Sequence, residues 1–483
     1  MLIFLEIILL IIFANTFFAL ITVFRTKRDI AATWAWLLVL VFIPIFGFLA
    51  YSFIGRKLTK KNMFKLQSQD QMQLDSILRK QRRQLKRLNT MGADQIVYNS
   101  RSMVEMFMNT DLSFLARHNH VKIYTDGNDL FDQMLADFDQ AKNSINVEFY
   151  TFYNDQIGNQ VLNKLVEKAK KGVHVRVIYD PFGSIGTTRR FFKPLTDAGG
   201  RAEPFLRTNF LDFRLNFRDH RKIVVVDGKV AYIGGFNIGD QYLGRKKKFG
   251  PWHDTHLRII GSGIFGLQAR FILDWNVTDS KHQITGLDNI IRYFPLNNID
   301  GPTNMQIVSS GPDTDLRQIE MGYIKLIHMA QKSCWIETPY LIPDDSTYDS
   351  LRIAAMSGID VRVIIPHMPD HPFVYRATQY FAHQLAKEGV KIYYYQKGFV
   401  HSKTIVVDGE ISSVGSANFD YRSFKLNFEV NAFLYDSTVS RKLKRIFLDD
   451  IRNSTRQTPK MFDQQSRWLL FKQSFCRLLA PIL

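Results

Sequence analysis

The sequence predicts an α/β fold in two related halves, each a mixed sheet flanked by helices and paired about a pseudo-two-fold, behind an α-helical transmembrane hairpin. Three observations predict it. A strand–helix–strand order is written twice, a polar motif recurs about 180 residues after its first appearance, and two apolar runs occupy the first 55 residues. The expected division is 1–56 for the two-helix hairpin, 57–118 for a basic juxtamembrane linker, 119–300 for the first half and 301–483 for the second.

The hairpin comes first. Residues 2–24, "LIFLEIILLIIFANTFFALITVF", carry one charge, Glu6. At about 1.5 Å per residue they can cross a hydrocarbon core of about 30 Å. A second apolar run, 33–54, has Trp34, Trp36 and Tyr51 near its ends, where aromatic rings favour the lipid–water boundary. Pro44 and Gly47 are expected to bend it. No Lys or Arg precedes the first run and no small-residue cleavage site follows it, which argues against a signal peptide.

Charge sets the expected orientation. Between the runs stand Arg25, Lys27 and Arg28 against Asp29; after the second come Arg56, Lys57, Lys60, Lys61 and Lys65 before the first acid, Asp70. The heavier positive flank belongs in the cytoplasm, which puts both termini there and residues 25–32 outside. The expected location is a multi-pass protein of the cell membrane. Residues 56–87 hold eleven Lys or Arg against Asp70 and Asp75, half of the formal charge of +18. With Leu74, Ile77, Leu78, Leu85 and Leu88 at helix-like spacing, this stretch fits either an interfacial helix on anionic lipid or a solvated surface helix. No arginine- or aromatic-rich reading motif accompanies the charge, so nucleic acid is not an expected partner. The two cysteines, Cys334 and Cys476, give no disulfide framework and suit a reducing compartment.

The two halves follow. "NVEFYTF" (146–152) and "VHVRVIYD" (173–180) read as strands around the helical "QIGNQVLNKLVEKAKKG". "SCWIETPYL" (333–341) and "IDVRVIIP" (359–366) repeat the order around "STYDSLRIAAMSG", and Gly172 and Gly358 are expected helix stops. The boundary falls near residue 300, around "PLNNIDGPTN".

The repeated motif is "RDHRKIVVVDGKVAYIGGFNIGD" from residue 218 and "FVHSKTIVVDGEISSVGSANFD" from 399. Both read His-x-Lys, four residues, Asp, six residues, Gly-Gly or Gly-Ser, one residue, Asn. With residue types at ~5% usage, such a recurrence arises by chance on the order of once in 10^4 sequences. Each copy reads as a hairpin with Asp-Gly as a two-residue loop, Asp227-Gly228 and Asp408-Gly409. That register sets His220 opposite Gly235 and beside Asn237, and His401 opposite Ser416 and beside Asn418. Small residues there are expected to let peptide N–H groups approach a ligand.

Each copy thus gathers an imidazole, an ammonium and a side-chain amide. Lys222, Lys403, Asn237 and Asn418 suit phosphoryl oxygens, and two copies face to face place one histidine on each side of a phosphorus atom. One can attack while the other protonates the leaving alkoxide. Asp227 and Asp408 precede glycine, so turn chemistry competes with a supporting role beside a lysine or histidine. "WHDTH" (252–256) and "HMPDH" (367–371) lack metal-ligand spacing, and Pro366, Pro369 and Pro372 rule out a regular helix presenting His367 with His371. No metal and no cofactor is expected.

The paired motifs resemble those of the phospholipase D superfamily. The chain as a whole is similar to the bacterial cardiolipin synthases in "TWAWLLVLVFIPIFGFLAYSFIGR", "GGFNIGDQYLG", "WHDTHLRIIG", "GSANFDYRSFKLNFEVN" and "RLLAPIL". The resemblance implies two phospholipase D-like halves and a metal-independent phosphatidyl transfer between two phosphatidylglycerol molecules, giving cardiolipin and glycerol. It implies one half-site of His220, Lys222 and Asp227 and another of His401, Lys403 and Asp408, with Asp254 and Glu429 as acidic partners of the histidines. It also implies that His220 is the nucleophile and His401 the acid. Gln241 stands where the family pattern leads one to expect Glu, and an acid is expected near Ser474. A hydrolytic phospholipase D, a phosphatidyltransferase with another donor or acceptor, and a non-enzymatic membrane scaffold are the competing readings. A scaffold would be expected to have lost a catalytic group, and both sets are intact.

Overall fold

The computed structural model describes residues 2–25, 30–55, 78–83, 94–111, 113–206, 216–286, 292–295 and 299–481. Most of the basic stretch at 56–87, including Leu74, Ile77 and Leu85, lies outside these residues. The chain forms two compact units, residues 1–63 with 206–218, and residues 64–205 with 219–483.

In the first unit, α1 spans Leu2–Arg25, α2 Ile30–Phe42 and α3 Pro44–Ala50, followed by a π-helical turn at Tyr51–Gly55. Pro44 breaks the second run as expected: Ile43 leaves helical geometry at φ −131° before Pro44 restarts the helix. Ala19, Val23, Leu40 and Tyr51 form a small packed seam, and the Trp36 and Tyr51 rings meet edge to face at 5.2 Å. Among the described side chains of this unit, most other large apolar ones, including Leu9, Leu10, Phe13, Phe17, Leu38, Phe42 and Phe46, are exposed. Among the described residues no helix is long and apolar enough to cross a membrane.

The second unit is built on one long sheet. In the first half its strands are β1 (Ala116–Tyr124), β2 (Ser144–Phe149), β3 (His174–Tyr179), β4 (Arg201–Pro204), β5 (Lys222–Val226), β6 (Val230–Gly234) and β7 (His256–Ile260). The second half supplies β8 (Thr303–Ser310), β9 (Ser333–Glu337), β10 (Asp360–Pro366), β11 (Lys391–Tyr395), β12 (Thr404–Val407), β13 (Ile411–Gly415), β14 (Asn427–Tyr435) and β15 (Ser454–Gln457). The spatial order is β15-β11-β10-β9-β12-β13-β14-β8-β1-β7-β6-β5-β2-β3-β4. Read outward from the antiparallel β1–β8 pair, where Asn119 faces Thr303, the two halves repeat one order. The pseudo-two-fold therefore runs between β1 and β8, and β15 is an added edge. Parallel pairs β2–β3 and β9–β10 sit beside antiparallel pairs β2–β5 and β9–β12, a mixed sheet in each half.

The helices on this sheet form where the apolar period demands. Residues Gln156–Lys170 are helical: Asp155 caps the N-terminus by accepting the Gly158 N–H at 3.1 Å, and Ile157, Val161, Leu162, Leu165 and Ala169 are buried. Gly172 then takes φ +84°, which stops the helix. Asp345–Met356 repeats this in the second half, capped by Asp344 and ended by Gly358 at φ +89°.

The motif hairpins close differently from the expectation. Val226 pairs with Val230 and Val407 with Ile411, so each turn has three residues, 227–229 and 408–410. Asp227 and Gly228 both adopt left-handed φ (+53° and +65°), as do Asp408 and Gly409 (+55° and +68°). The cause is the aspartate. Asp227 accepts the backbone N–H groups of Lys142, Asn143 and Ser144 at 2.7–2.8 Å. Asp408 does the same for Gln331, Lys332 and Ser333 at 2.7–2.9 Å. The left-handed turn is what aims each carboxylate at the start of the neighbouring strand.

Candidate active site

The turn aspartates stand seven residues along the strand from the histidines, roughly 23 Å at about 3.3 Å per residue of extended chain. Asp227 and Asp408 are thus not in the site. They anchor the far end of each hairpin, a correction to the half-sites implied above.

The near ends converge. The His220 peptide N–H donates to the Phe428 carbonyl at 2.9 Å, and the His401 N–H donates to the His253 carbonyl at 2.7 Å. Each histidine is therefore docked on the other half, one residue before that half's acidic residue. His220 Nδ1 lies 2.9 and 3.0 Å from the two oxygens of Glu429. His401 Nδ1 lies 2.6 Å from Asp254 Oδ2. A proton on each Nδ1 leaves Nε2 with the lone pair, the form that can attack or accept a proton.

The small residues at 235 and 416 serve these carboxylates and not a ligand. The Gly235 N–H is spent on the Thr255 carbonyl and the Ser416 N–H on the Val430 carbonyl, both at 2.9 Å. A Cβ at Gly235 would fall 2.0 Å from Asp254 Oδ1. Ser416 Oγ donates to Glu429 Oε2 at 2.5 Å, and Asn427 Nδ2 donates to Oε1 at 3.2 Å. The expected opposition of His220 to Gly235 and of His401 to Ser416 is replaced by contact with the acid that orients the opposite histidine.

The lysines bend back on their own histidines. Lys222 Nζ donates to the His220 carbonyl at 2.6 Å, and Lys403 Nζ to the His401 carbonyl. Both are buried, and burial pushes Lys222 down to about 7 and Lys403 to about 8. Burial, then the charges of Lys222 and Lys403, hold His220 well below the usual imidazole range. Burial and Lys403 push His401 down to about 4, with Asp254 resisting. The carboxylates differ. Burial raises Glu429 to about 7 against the pull of Lys222 and its hydrogen-bond donors. Burial would also raise Asp254, but Lys403 and His401 hold it below the usual range. Asn237 is buried and accepts the Thr151 N–H at 3.2 Å, and Asn418 is buried at the matching place.

Further groups went unread in the sequence. The Tyr150 ring meets His220 edge to face at 5.0 Å, and Trp252 lies 5.1 Å from His401. Arg422, in the short helix Tyr421–Lys425, is half-buried and adds a positive charge felt by His220. A signal existed, since Arg422 follows Asn418 by four residues where the first copy has Gln241.

The x of His-x-Lys also differs in a way that matters. Arg221 points away from the site and pairs with Asp274 at 2.9 Å. Ser402 cannot do so, and His253 from the first half pairs with Asp450 at 2.9 Å instead. His253, Glu337 and Asp450 hold donor atoms within 4.8 Å of one another, the group among the described residues that could hold a metal. Their charges also balance without one. Burial would lower His253, but Asp450 raises it, while burial and Asp450 raise Glu337 to about 8.

The matches with known proteins agree with this geometry. The family described as "Cardiolipin synthase, PLD-like domain" matches residues 134–248 and 323–451, and "Phospholipase_D-nuclease N-terminal" matches 16–56. Cardiolipin synthase of Listeria innocua is 47% identical over 99% of both chains. The chain belongs to the bacterial cardiolipin synthases of the phospholipase D superfamily. Cardiolipin synthase of Staphylococcus aureus is 45% identical over 97% of this chain and 95% of that one. The fold alone extends to phosphatidylserine synthase of Haemophilus influenzae, with a TM-score of 0.61 at 14% identity, covering 80% of this chain and 100% of that one. Membership makes the chain a phosphatidyltransferase.

Proposed function

We propose that the site transfers a phosphatidyl group from one phosphatidylglycerol to the primary hydroxyl of another, giving cardiolipin and glycerol. The crossed histidine–carboxylate pairs carry the reading: two imidazoles, each oriented by the opposite half, share one buried site with Lys222, Lys403 and Arg422. His220 Nε2 attacks phosphorus while the bond to the glycerol oxygen breaks, and His401 Nε2–H protonates that oxygen. His401 then takes the proton of the incoming phosphatidylglycerol hydroxyl as its oxygen displaces His220 from phosphorus. The lysines, Arg422 and the asparagines hold the phosphoryl oxygens. A bound phosphodiester anion offsets the cations that depress the histidines, so the substrate itself helps to charge His401. One feature supports the division of roles: His401 is paired with Asp254, the carboxylate held below the usual range, whereas burial raises Glu429, beside His220, to about 7.

The hairpin completes the proposal. Its support is the two apolar runs at 2–24 and 33–54, the heavier positive flank after the second, and the family match over residues 16–56. We propose that both termini lie in the cytoplasm with residues 25–32 outside, and that the chain divides functionally at 56, 118 and 300. Single cysteines at Thr26 and Ser68, sequence positions outside the described residues, test this in intact cells with an impermeant thiol reagent. Labelling at Ser68 and not at Thr26 reverses the orientation.

Purified protein with phosphatidylglycerol alone is expected to release cardiolipin and glycerol in equal amounts, without ATP or an activated lipid, as read by mass spectrometry. Phosphatidic acid as the main product would move the assignment to a hydrolase.

A further inference from the structure

The last long helix, Arg467–Leu478, is inside out. Its buried residues are Gln473 and Cys476. Gln473 Nε2 donates to Gln465 Oε1 at 2.8 Å, and Arg477 Nη1 donates to the Tyr380 hydroxyl at 2.9 Å, on the helix Pro372–Lys387. Cys476 packs with Ile342 and Ala377. Outside stand Trp468, Phe471, Phe475 and Leu478, at 65%, 59%, 50% and 69% exposure. At 100° per residue these four fall within an arc of about 80°. Arg467 lies just beyond one border of the arc and Lys472 just beyond the other. Trp468 stacks on Phe471 at 5.5 Å, and Lys472 Nζ lies 5.8 Å from the Trp468 ring centre.

A helix that contributes polar groups to the protein and aromatics to the outside needs an apolar partner for the outer face. The flanking charge decides which. The helix has no acidic residue, and two copies meeting about a two-fold would set Arg467 and Lys472 against themselves. An anionic bilayer complements both features, burying the aromatic arc at the headgroup boundary and pairing the cations with lipid phosphate. We infer that Arg467–Leu478 is an interfacial helix that seats the catalytic unit on anionic lipid, a contact separate from the N-terminal hairpin. This rests on the reading that the substrate is a bilayer lipid.

The test uses the full chain. Phe471→Cys, in a background with Cys334→Ser and Cys476→Ser, is labelled with an environment-sensitive fluorophore and reconstituted into phosphatidylglycerol vesicles. Its emission is expected to shift to the blue and to be quenched by lipids spin-labelled near the headgroup, while the same probe at Asp449→Cys is not. An unquenched probe at 471, or a blue shift in detergent that grows with protein concentration, overturns the inference, the second in favour of a second copy. A Trp468→Ser, Phe471→Ser, Phe475→Ser variant provides an independent measurement. Its apparent KM on phosphatidylglycerol vesicles is expected to rise roughly tenfold, with turnover of a short-chain monomeric phosphatidylglycerol unchanged. Equal losses on both substrates overturn the inference. Failure of the unaltered chain to make cardiolipin from either substrate would instead sink the reading on which it rests.

Discussion

His220 takes its orienting carboxylate from Glu429, 209 residues further along the chain, and His401 takes its own from Asp254, 147 residues earlier. Neither half is a complete site. The exchange follows from the backbone, because each histidine N–H is bonded to the carbonyl just before the other half's acid. Substitution of an acid should therefore injure the histidine of the opposite half.

Asp254→Asn is expected to behave as a His401 defect and Glu429→Gln as a His220 defect. Each should lower kcat by roughly 10²–10⁴-fold, the usual range for disabling an acid–base group or its orienting partner. The intermediate separates them. Acid-quenched Asp254→Asn enzyme exposed to radiolabelled phosphatidylglycerol should carry label, as His401→Ala should, and Glu429→Gln should carry none. The reverse pattern would exchange the roles of the two histidines.

Gly235→Ala places a methyl group 2.0 Å from Asp254 Oδ1, inside any tolerable contact. The carboxylate must move, and His401 loses its 2.6 Å partner. Turnover should fall about as far as in Asp254→Asn, with a stability cost of about 1–3 kcal/mol. Full activity in Gly235→Ala would contradict the crowding on which this rests.

Asp227→Ala and Asp408→Ala are expected to destabilise without disabling. Each leaves three peptide N–H groups without their carboxylate, a loss of order 3 kcal/mol once water satisfies part of the deficit. Thermal unfolding and kcat measured well below the transition decide it. A hundredfold lower kcat in protein that unfolds like the wild type would return these aspartates to the active site.

Glu429 also leaves a pH signature. Its carboxyl is raised from 4.5 to about 7, so between these values the folded chain holds a proton that the unfolded chain has released. That contribution to stability is fully present below about pH 4.5 and is lost as pH rises through 7. In Glu429→Gln the melting temperature should fall less steeply across this window than in the unaltered protein. An equal slope means that the carboxylate is ionised throughout.

Activity is expected to persist in EDTA after dialysis, at fixed lipid dispersion, because Lys222, Lys403 and Arg422 supply the positive charge for the phosphoryl oxygens. A loss reversed by one divalent ion alone would point to a cation in the reaction, and the group of His253, Glu337 and Asp450 would be the first place to look.

The sequence by itself determined the duplication and the strand–helix order of each half, and it named the candidate reacting groups. Those are local properties: apolar period, glycine stops and a motif whose copies keep one internal spacing. His220, Lys222, His401 and Lys403 could be named because a repeated polar pattern on a strand end has few structural uses. The turn aspartates were left between turn chemistry and a supporting role for the same local reason. Their carboxylates reach Ser144 and Ser333, 83 and 75 residues away, and no nearby residue announces that bond. Only the tertiary structure decided which acid serves which histidine, why residue 235 must be glycine, and that His253 replaces the missing arginine beside Asp450. The first and third are contacts between the halves, set by how the two halves of the sheet join at β1 and β8, and the second is a contact between neighbouring strands of the first half. A one-dimensional pattern records spacing along the chain, whereas desolvation and proton sharing depend on what the other half brings to within about 3 Å.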